Sequence, residues 1–561
     1  MTERVSNRRI RLLLCLFALV FAGTLARAVW LQGVQASTLE RIAARQQEDT
    51  TEIPAGRGTI FDRTGEPLAI GEQATTIYAD PRRVTSPRRV AVAAAKVLGL
   101  DANKLYPLLA DRSRHFVYLQ RKGDPAKAAK LEQLDLDGLG FYPEEMRFYP
   151  QRSVAAHVLG FAGVDNDGLD GLERSLDKPL AGKPGSQTTV TDPAGRVIDV
   201  ISTKPERAGD DVFLTIDHRI QADAESVLRQ TVTRWNAKGG TAIVLDPRTG
   251  AILAMAVAPV FDANKFSSTS AARRRNRAVT DLYEPGSTFK VVTVAAALSE
   301  KLVTPRTAFT LASSIRVADR IIHEHEPRPT QRMTVAQILA QSSNIGTITL
   351  AELLGRSRVE SWIDRFGFGK QTGIDAPGES RGLLPSYWSG STIGNVPIGQ
   401  GIGVTAIQMA SAYGAIANGG ILHTPRLVER VGTKVHRMSK SRRVISKTVS
   451  AQMMAMLRDV VSAEGGTGAL AAVPGYTVAG KTGTAAKPIP GGYSTSRYVA
   501  SFVGVVPAKD PKLVVLVSVD EPRGAIWGGV VAAPAFSEIA RSSLVELEIA
   551  PDATSGSSAT R

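Results

Sequence analysis

Three short stretches of this 561-residue chain place nucleophilic, basic and amide side chains where they could act together. The first is Glu284-Pro285-Gly286-Ser287-Thr288-Phe289-Lys290. Pro-Gly makes a turn, a helix starting at Ser287 is predicted, and the apolar run Val291 to Leu298 continues it. Residues i and i+3 share a helix face, so Ser287 and Lys290 can touch. A serine hydroxyl becomes nucleophilic when a base removes its proton. A lysine serves as that base only when neutral, which burial or a second cation promotes. A helix N-terminus also supplies backbone N–H groups to a developing oxyanion. Alone, S-x-x-K occurs by chance roughly once or twice in a chain of this length. Its plain alternative is a capping serine beside a surface lysine.

The second stretch, Ser342-Ser343-Asn344, follows the helix-like run Val335 to Ala340. A hydroxyl and an amide two positions apart can pass a proton and hold a peptide carbonyl; the plain alternative is a helix-end cap. The third, Lys481-Thr482-Gly483-Thr484, lies on a predicted strand. Alternation sends Lys481 and Gly483 to one face, Thr482 and Thr484 to the other. Gly483 would let a substrate backbone lie close. Lys481 would offer a cation near Lys290 or to a substrate carboxylate, or else simply guard a strand edge. Together and in this order, the three form the set known from serine β-lactamases and penicillin-binding proteins, with Ser343 in place of the middle Asp.

The elements that position these residues are legible in outline. A helix over 218–235 precedes strands Ala242–Leu245 and Ala251–Val257, joined by the turn Asp246-Pro247-Arg248-Thr249-Gly250. Strands are predicted over Tyr476–Lys481, Tyr498–Val506 and Leu513–Val519, with a closing helix over Ala533–Leu547. Strands from both ends of this half can form one antiparallel sheet, with the mainly helical middle, 287–465, packed on it. Residues 33 to about 50 read as a polar, helix-prone stalk ended by Pro54, and Thr59–Asp62 as a short β segment. From there to about 210, short strands and helices alternate without a nucleophile–base pair.

The chain carries a formal charge of +15, is 43% hydrophobic and 22% charged, and has one cysteine, Cys15, so no intramolecular disulfide forms. Its basic residues are mostly dispersed. The runs Arg273–Arg277 and Lys434–Arg443, the second read as a solvated loop, lack any nucleic-acid recognition pattern. Arg4, Arg8, Arg9 and Arg11 precede an apolar stretch, and Ile10 to Leu31 is long enough to cross a bilayer with the N-terminus in the cytoplasm. A signal peptide cleaved near Ala26-Arg27-Ala28 is the rival reading.

With these motifs in place, the chain resembles a class B penicillin-binding protein, more closely the division type. Arg57-Gly58-Thr59-Ile60-Phe61-Asp62-Arg63-Thr64-Gly65 looks like the first motif of that family's pedestal. Arg147-Phe148-Tyr149-Pro150 with Ala156–Phe161, and Gly171-Leu172-Glu173 through Gly182, look like the next two. Asn276-Arg277-Ala278 and Gly528-Gly529-Val530-Val531-Ala532-Ala533-Pro534-Ala535-Phe536 are similar to the division subgroup.

The resemblance implies an α+β, membrane-anchored protein. Its parts would be a cytoplasmic N-terminus (1–9), a transmembrane anchor (10–31), a non-catalytic pedestal (32–210), a transpeptidase domain (211–548) with a serine β-lactamase-like fold, and a disordered tail (549–561). It implies that Ser287 attacks the D-Ala-D-Ala bond of a peptidoglycan stem peptide, with Lys290 as base. Ser342 and Lys481 would serve the leaving amine. Asn344 would hold substrate amide, Thr482 and Thr484 the substrate carboxylate, and the N–H groups of Ser287 and Thr484 the oxyanion. No cofactor is implied. β-Lactams would acylate Ser287. The expected setting is the cytoplasmic membrane at the division septum, with the catalytic domain outside. Expected partners are divisome proteins and a SEDS-type glycosyltransferase, since no glycan-polymerising module is evident. Elongation, D,D-carboxypeptidase, β-lactamase and non-catalytic scaffold readings are the alternatives. His323-Glu324-His325-Glu326 is unusual for the family; a metal-binding reading lacks a third ligand, and a polar loop is expected. His157, in a pedestal motif, is expected to be structural.

Overall fold

The computed structural model describes residues 2–38, 48–191, 197–435 and 440–553. Two compact units emerge: residues 1–56 with 182–208, and residues 57–181 with 209–561.

In the first unit, Thr2–Val29 is a helix continued by a π-helical turn, Trp30–Val34. Among the described residues, the helical span Asn7–Val34 is the one long and apolar enough to cross a membrane. The same unit holds a three-stranded antiparallel sheet of Glu48–Ile53, Gly185–Thr191 and Val197–Lys204. The end of the expected helical stalk is therefore strand: Glu48–Ile53 pairs with Gly185–Val190. Long-range pairing with a partner 138 residues away, marked by the Thr50–Thr188 hydroxyl contact, overrides local helix preference. The remainder of that stalk, 39–47, lies outside the described residues, as does the tail from 554.

In the second unit, a five-stranded antiparallel sheet runs in the order Ile252–Ala258, Gly239–Leu245, Leu513–Asp520, Gly492–Val506, Ala479–Ile489. Ile252–Ala258, Gly239–Leu245 and Leu513–Asp520 are nearly continuous apolar runs because both faces are covered. On one face Ala242, Val244, Phe502, Val515 and Val517 pack with helices His218–Arg234 and Ala533–Glu546. On the other Ile243, Leu245, Val503, Val514 and Leu516 pack with the helices of the middle segment, Lys290–Ser299, Ala406–Ala417 and Lys447–Ser462 among them. The last strand starts at Ala479 rather than Tyr476, because Pro474-Gly475 closes a turn between Val473 and Tyr476. It then runs beyond the motif to Ile489 and is a sheet edge.

The middle segment is less helical than expected. It contains hairpin-like pairs, Ala308–Leu311 with Gln331–Thr334 and Ser314–Val317 with Arg320–His323. Within the basic run read as a loop, Ser441–Arg443 pairs with Ile421–His423; residues 436–439 lie outside the described ones. Residues 549–553, placed in the expected disordered tail, are held in place. Tyr476 Oη donates to Ile549 O at 2.6 Å, and Thr477 N donates to Asp552 at 2.6 Å.

A further sheet joins Pro67–Ala79, Val117–Gly123 and Leu139–Phe148 to Ile60–Phe61, Val212–Leu214 and Val428–Val431. Strand pairing therefore crosses residue 210. The three pedestal motifs meet on one fully buried carboxylate: Glu173 takes ion pairs from Arg57 at 2.7 Å and Arg147 at 2.6 Å. A buried charge is tolerated when so paired. His157 is buried edge-on against Phe261, bonded to Arg273 O, and pushed by burial down to about 4.

Candidate active site

Gly286–Phe289 forms a single 3₁₀ turn that runs into the α-helix Lys290–Ser299. This differs from a helix starting at Ser287, but a 3₁₀ turn still aligns i with i+3. The turn is anchored from behind. Phe289 is fully buried, packed on Phe368 with centroids 5.0 Å apart, and the buried Tyr413 hydroxyl donates to Thr288 O at 2.9 Å. Ser287 lines a cleft of about 440 Å³, together with Ser342, Asn344, Thr482 and Thr484.

Lys290 is fully buried. Its ammonium donates to Ser342 O at 2.5 Å, to Asn344 Oδ1 at 2.7 Å and to Ser342 Oγ at 3.4 Å, rather than to Ser287. Burial pushes it down to about 7, against the opposing charge of Glu324. Lys481, also fully buried, donates to Ser342 Oγ at 2.9 Å. Burial and the charge of Lys290 hold it well below the usual lysine range. Two lysines far apart in sequence thus converge on one serine hydroxyl. That hydroxyl is presented by an unusual backbone: Ser342 has φ +60°, uncommon for a residue with a side chain, between helices Val335–Ala340 and Asn344–Leu354. Ser343 does act as a cap, its Oγ accepting from Gly346 N at 2.9 Å. Capping and chemistry coexist, because the cap fixes where Ser342 and Asn344 point.

The edge strand alternates as expected. Lys481 points inward, whereas Thr482 and Thr484 line the cleft. Gly483 has a packing purpose in the fold itself. A Cβ there would lie 2.9 Å from Thr288 Cγ2 and 3.0 Å from Pro285 O, so the glycine lets the turn bearing Ser287 lie against the strand. Thr484 Oγ1 accepts from Gly528 N at 3.0 Å, which fixes the Gly528-Gly529 segment beside the cleft.

Sequence reasoning overlooked Glu324. The segment after strand Arg320–His323 is not a free polar loop. Glu324 accepts from Asn344 N at 2.8 Å, from Ser343 Oγ, and from Arg328 at 2.6 Å, with its side chain 5% exposed. His325 sets its ring edge-on to Trp527, 4.3 Å between centroids, and both line the cleft. No local pattern marks Glu324, which lies 20 residues before Asn344 and meets it only through the hairpin fold. The basic run Arg273–Arg277 makes internal contacts: Arg274 lies over the Phe161 ring, and Arg275 pairs with Asp281 at 2.9 Å.

Comparison with known proteins agrees with this arrangement. Residues 240–541 match the family model of the penicillin binding protein transpeptidase domain, and residues 52–214 that of the penicillin-binding protein dimerisation domain. The chain is 34% identical to the peptidoglycan D,D-transpeptidase FtsI of Escherichia coli (strain K12), covering 97% of this chain and 93% of that one. It is 35% identical to stage V sporulation protein D of Bacillus subtilis, covering 98% and 88%. The crystal structure of penicillin binding protein 3 from Mycobacterium tuberculosis complexed with aztreonam superposes with a TM-score of 0.71 at 30% identity, covering 90% of this chain and 98% of that one. With both family models matched in order and relatives aligned over nearly its whole length, the chain belongs to the class B penicillin-binding proteins, the serine-type peptidoglycan D,D-transpeptidases.

Proposed function

We propose that the chain cross-links stem peptides in septal wall synthesis and is a target of β-lactams, with Ser287 as nucleophile. The observation that carries the site assignment is the meeting of Lys290 and Lys481 on the Ser342 hydroxyl beside Ser287. Neutral Lys290 takes the Ser287 proton as Oγ attacks the carbonyl between the two terminal D-alanines. The backbone N–H groups of Ser287 and Thr484 stabilise the oxyanion. As the tetrahedral intermediate collapses, the C–N bond breaks and Ser342, tuned by Lys481, passes its proton to the departing D-alanine amine while taking the one held by Lys290, which is neutral again. An amine of a neighbouring stem then attacks the acyl-enzyme, and Ser287 recovers its proton. Asn344 holds the substrate amide; Thr482 and Thr484 bind the terminal carboxylate.

A β-lactam presents the same carbonyl in a ring, so its leaving nitrogen stays tethered and the acyl-enzyme persists. Labelling with fluorescent penicillin tests this. Ser287→Ala should abolish the adduct with unchanged thermal stability, and persistent labelling at another residue would refute the assignment.

The apolar N-terminal helix supports a single-pass anchor in the cytoplasmic membrane, and the arginines before it favour a cytoplasmic N-terminus. Polymerisation of glycan would come from a SEDS-type partner that meets the anchor within the membrane, and other divisome proteins would meet the pedestal. The septal role rests on the resemblance of the Gly528–Phe536 segment and on the name of the E. coli relative. Depletion should give filaments, and a fluorescent fusion should gather at midcell; rounded cells with lateral signal would place the protein in elongation.

A further inference from the structure

We propose that Glu324 is a positioning residue of the acylation step, which orients Asn344 and favours the charged form of buried Lys290. The inference rests on the assignment of Ser287 and Lys290 above.

The geometry carries it. Glu324 joins the end of one hairpin to the start of the helix Asn344–Leu354. One oxygen takes the Ser343 hydroxyl and Arg328, and the other takes the Asn344 backbone N–H at 2.8 Å. The adjoining carbonyl of His323 accepts from the Asn344 side-chain amide at 3.3 Å. The oxygen of the same amide accepts from Lys290 at 2.7 Å. Asn344 is thereby held at its backbone N–H and at both ends of its side chain. The face it can offer to substrate is set before substrate arrives, which is where positioning lowers a barrier.

Charge gives the second argument. Lys290 and Lys481 are both fully buried and share one hydroxyl. The ionisable groups that face Lys290 are Lys481 from the edge strand, and Glu324 and His325 from the segment after the hairpin. The helices carrying Ser342 and Asn344 offer it only neutral groups. Burial and the charge of Lys290 push His325 below its ordinary value, which favours its neutral ring. Glu324 is thus the acid acting on Lys290. Burial would raise Glu324, but its hydrogen bonds, its Arg328 pair and Lys290 outweigh this and keep it ionised. Its charge favours protonated Lys290, so removing the charge lets Lys290 lose its proton at lower pH.

The test measures the second-order rate of benzylpenicillin acylation from pH 5.5 to 9 for the full-length protein, Glu324→Gln and Glu324→Asp, with thermal stability recorded alongside. Glu324→Gln should move the acidic limb down by about one pH unit, as expected for loss of a nearby opposite charge. It should also lower the plateau rate about tenfold, as Asn344 loosens. Glu324→Asp keeps the charge but shortens the reach, so it should leave the limb in place and lower only the plateau. An unmoved limb in a stable Gln variant would overturn the proposal, and so would a limb moved as far by Asp as by Gln. If Gln fails to fold, the Asp plateau decides: a plateau rate equal to wild type in Glu324→Asp would overturn the proposal. Ser287→Ala, run in parallel, separates the premises: adduct in that variant would sink the nucleophile assignment rather than the role of Glu324.

Discussion

Gly483→Ala separates two accounts of the edge strand. If the glycine only clears space for substrate, its replacement should weaken binding and leave stability untouched. The structure gives the opposite account. A Cβ at Gly483 would meet Ser501 Oγ at 2.4 Å, Thr288 Cγ2 at 2.9 Å and Pro285 O at 3.0 Å, whereas ordinary contact begins at 3.4 Å. The Ser501 hydroxyl can rotate away. The other two belong to the turn that carries Ser287, and Thr288 Oγ1 donates to Pro285 O at 2.7 Å, so they move together. Behind the turn, Phe289 and the Tyr413 hydroxyl leave no room to retreat. Relief requires a shift of about half an ångström at Ser287. Overpacking of this kind costs about 1–3 kcal/mol. A nucleophile displaced by that much loses about tenfold or more in rate, given about a hundredfold per ångström. Scanning calorimetry and time-resolved fluorescent-penicillin labelling read the two effects. Adding Ser501→Ala should recover part of the stability, because it removes the nearest overlap, but not the rate, because the backbone overlap remains. Acylation within twofold of wild type at undiminished stability would refute the reasoning.

Three further outcomes are expected. With Lys290 held at about 7 by burial, the acylation rate of the wild type should fall about tenfold per pH unit below that value, as the protonated amine ceases to be a base, and Lys290→Arg should be nearly inactive throughout; a flat profile, or a competent Arg variant, removes Lys290 from the mechanism. Glu225 is buried on the helix His218–Arg234 and accepts from Gln221 and Ala155 N; burial raises it from 4.5 to about 7. The folded state therefore holds that proton more tightly, and this contribution to stability is lost as pH rises from 4.5 to 7. Glu225→Gln should be more stable than wild type by about 3 kcal/mol above pH 8 and equal to it below pH 4.5, in denaturant titrations; a pH-independent difference would contradict this. Strong chelation should leave acylation unchanged, and a loss restored by zinc would return His323 and His325 to consideration.

The proposed catalytic constellation could be picked out because its parts are local. Ser287 and Lys290 share a turn, Ser342 and Asn344 flank one cap, and Lys481 to Thr484 alternate on one strand. Each carries its own spacing signal. The buried sheet was legible for a similar reason: strands covered on both faces are nearly all apolar, as in Leu513–Val519. What escaped was set by distant partners. Glu48–Ile53 is a strand only because Gly185–Val190 lies beside it. Ser441–Arg443 looks like a solvated loop until Ile421–His423 pairs with it. Gly483 has the composition of a substrate-clearing glycine, and only the fold shows that Pro285 and Thr288 occupy that space. Glu324 reads from sequence as part of a polar loop, whereas its partners Ser343 and Asn344 arrive from the start of the next helix.

The attachment of residues 57–181 to the catalytic sheet follows from the same contacts. Ile60–Phe61 pairs in parallel with Val212–Phe213, and Arg63 N donates to Ile216 O at 2.9 Å. The buried Asp62 carboxylate then receives both the backbone N–H of His218, at 3.1 Å, and its ring Nδ1, at 2.6 Å. Its other oxygen is filled by Thr64 and by Glu66 N. Asp62 thus fastens a pedestal turn to the first residue of the helix His218–Arg234, which Asp217 caps and whose apolar side packs against the catalytic sheet. Hydrogen bonds to a charged group are worth about 1.5–3 kcal/mol each, and leaving a buried carboxylate unpaired costs more. A hinge at this point would have to break several such bonds at once. The motif Arg57–Gly65, which has no chemistry of its own, therefore works as a rigid splice: Arg57 locks onto Glu173 at one end, and Asp62 locks onto His218 at the other. The strands after Gly65 are coupled to the catalytic sheet through that splice, and the turn bearing Ser287 rests on the edge of that sheet.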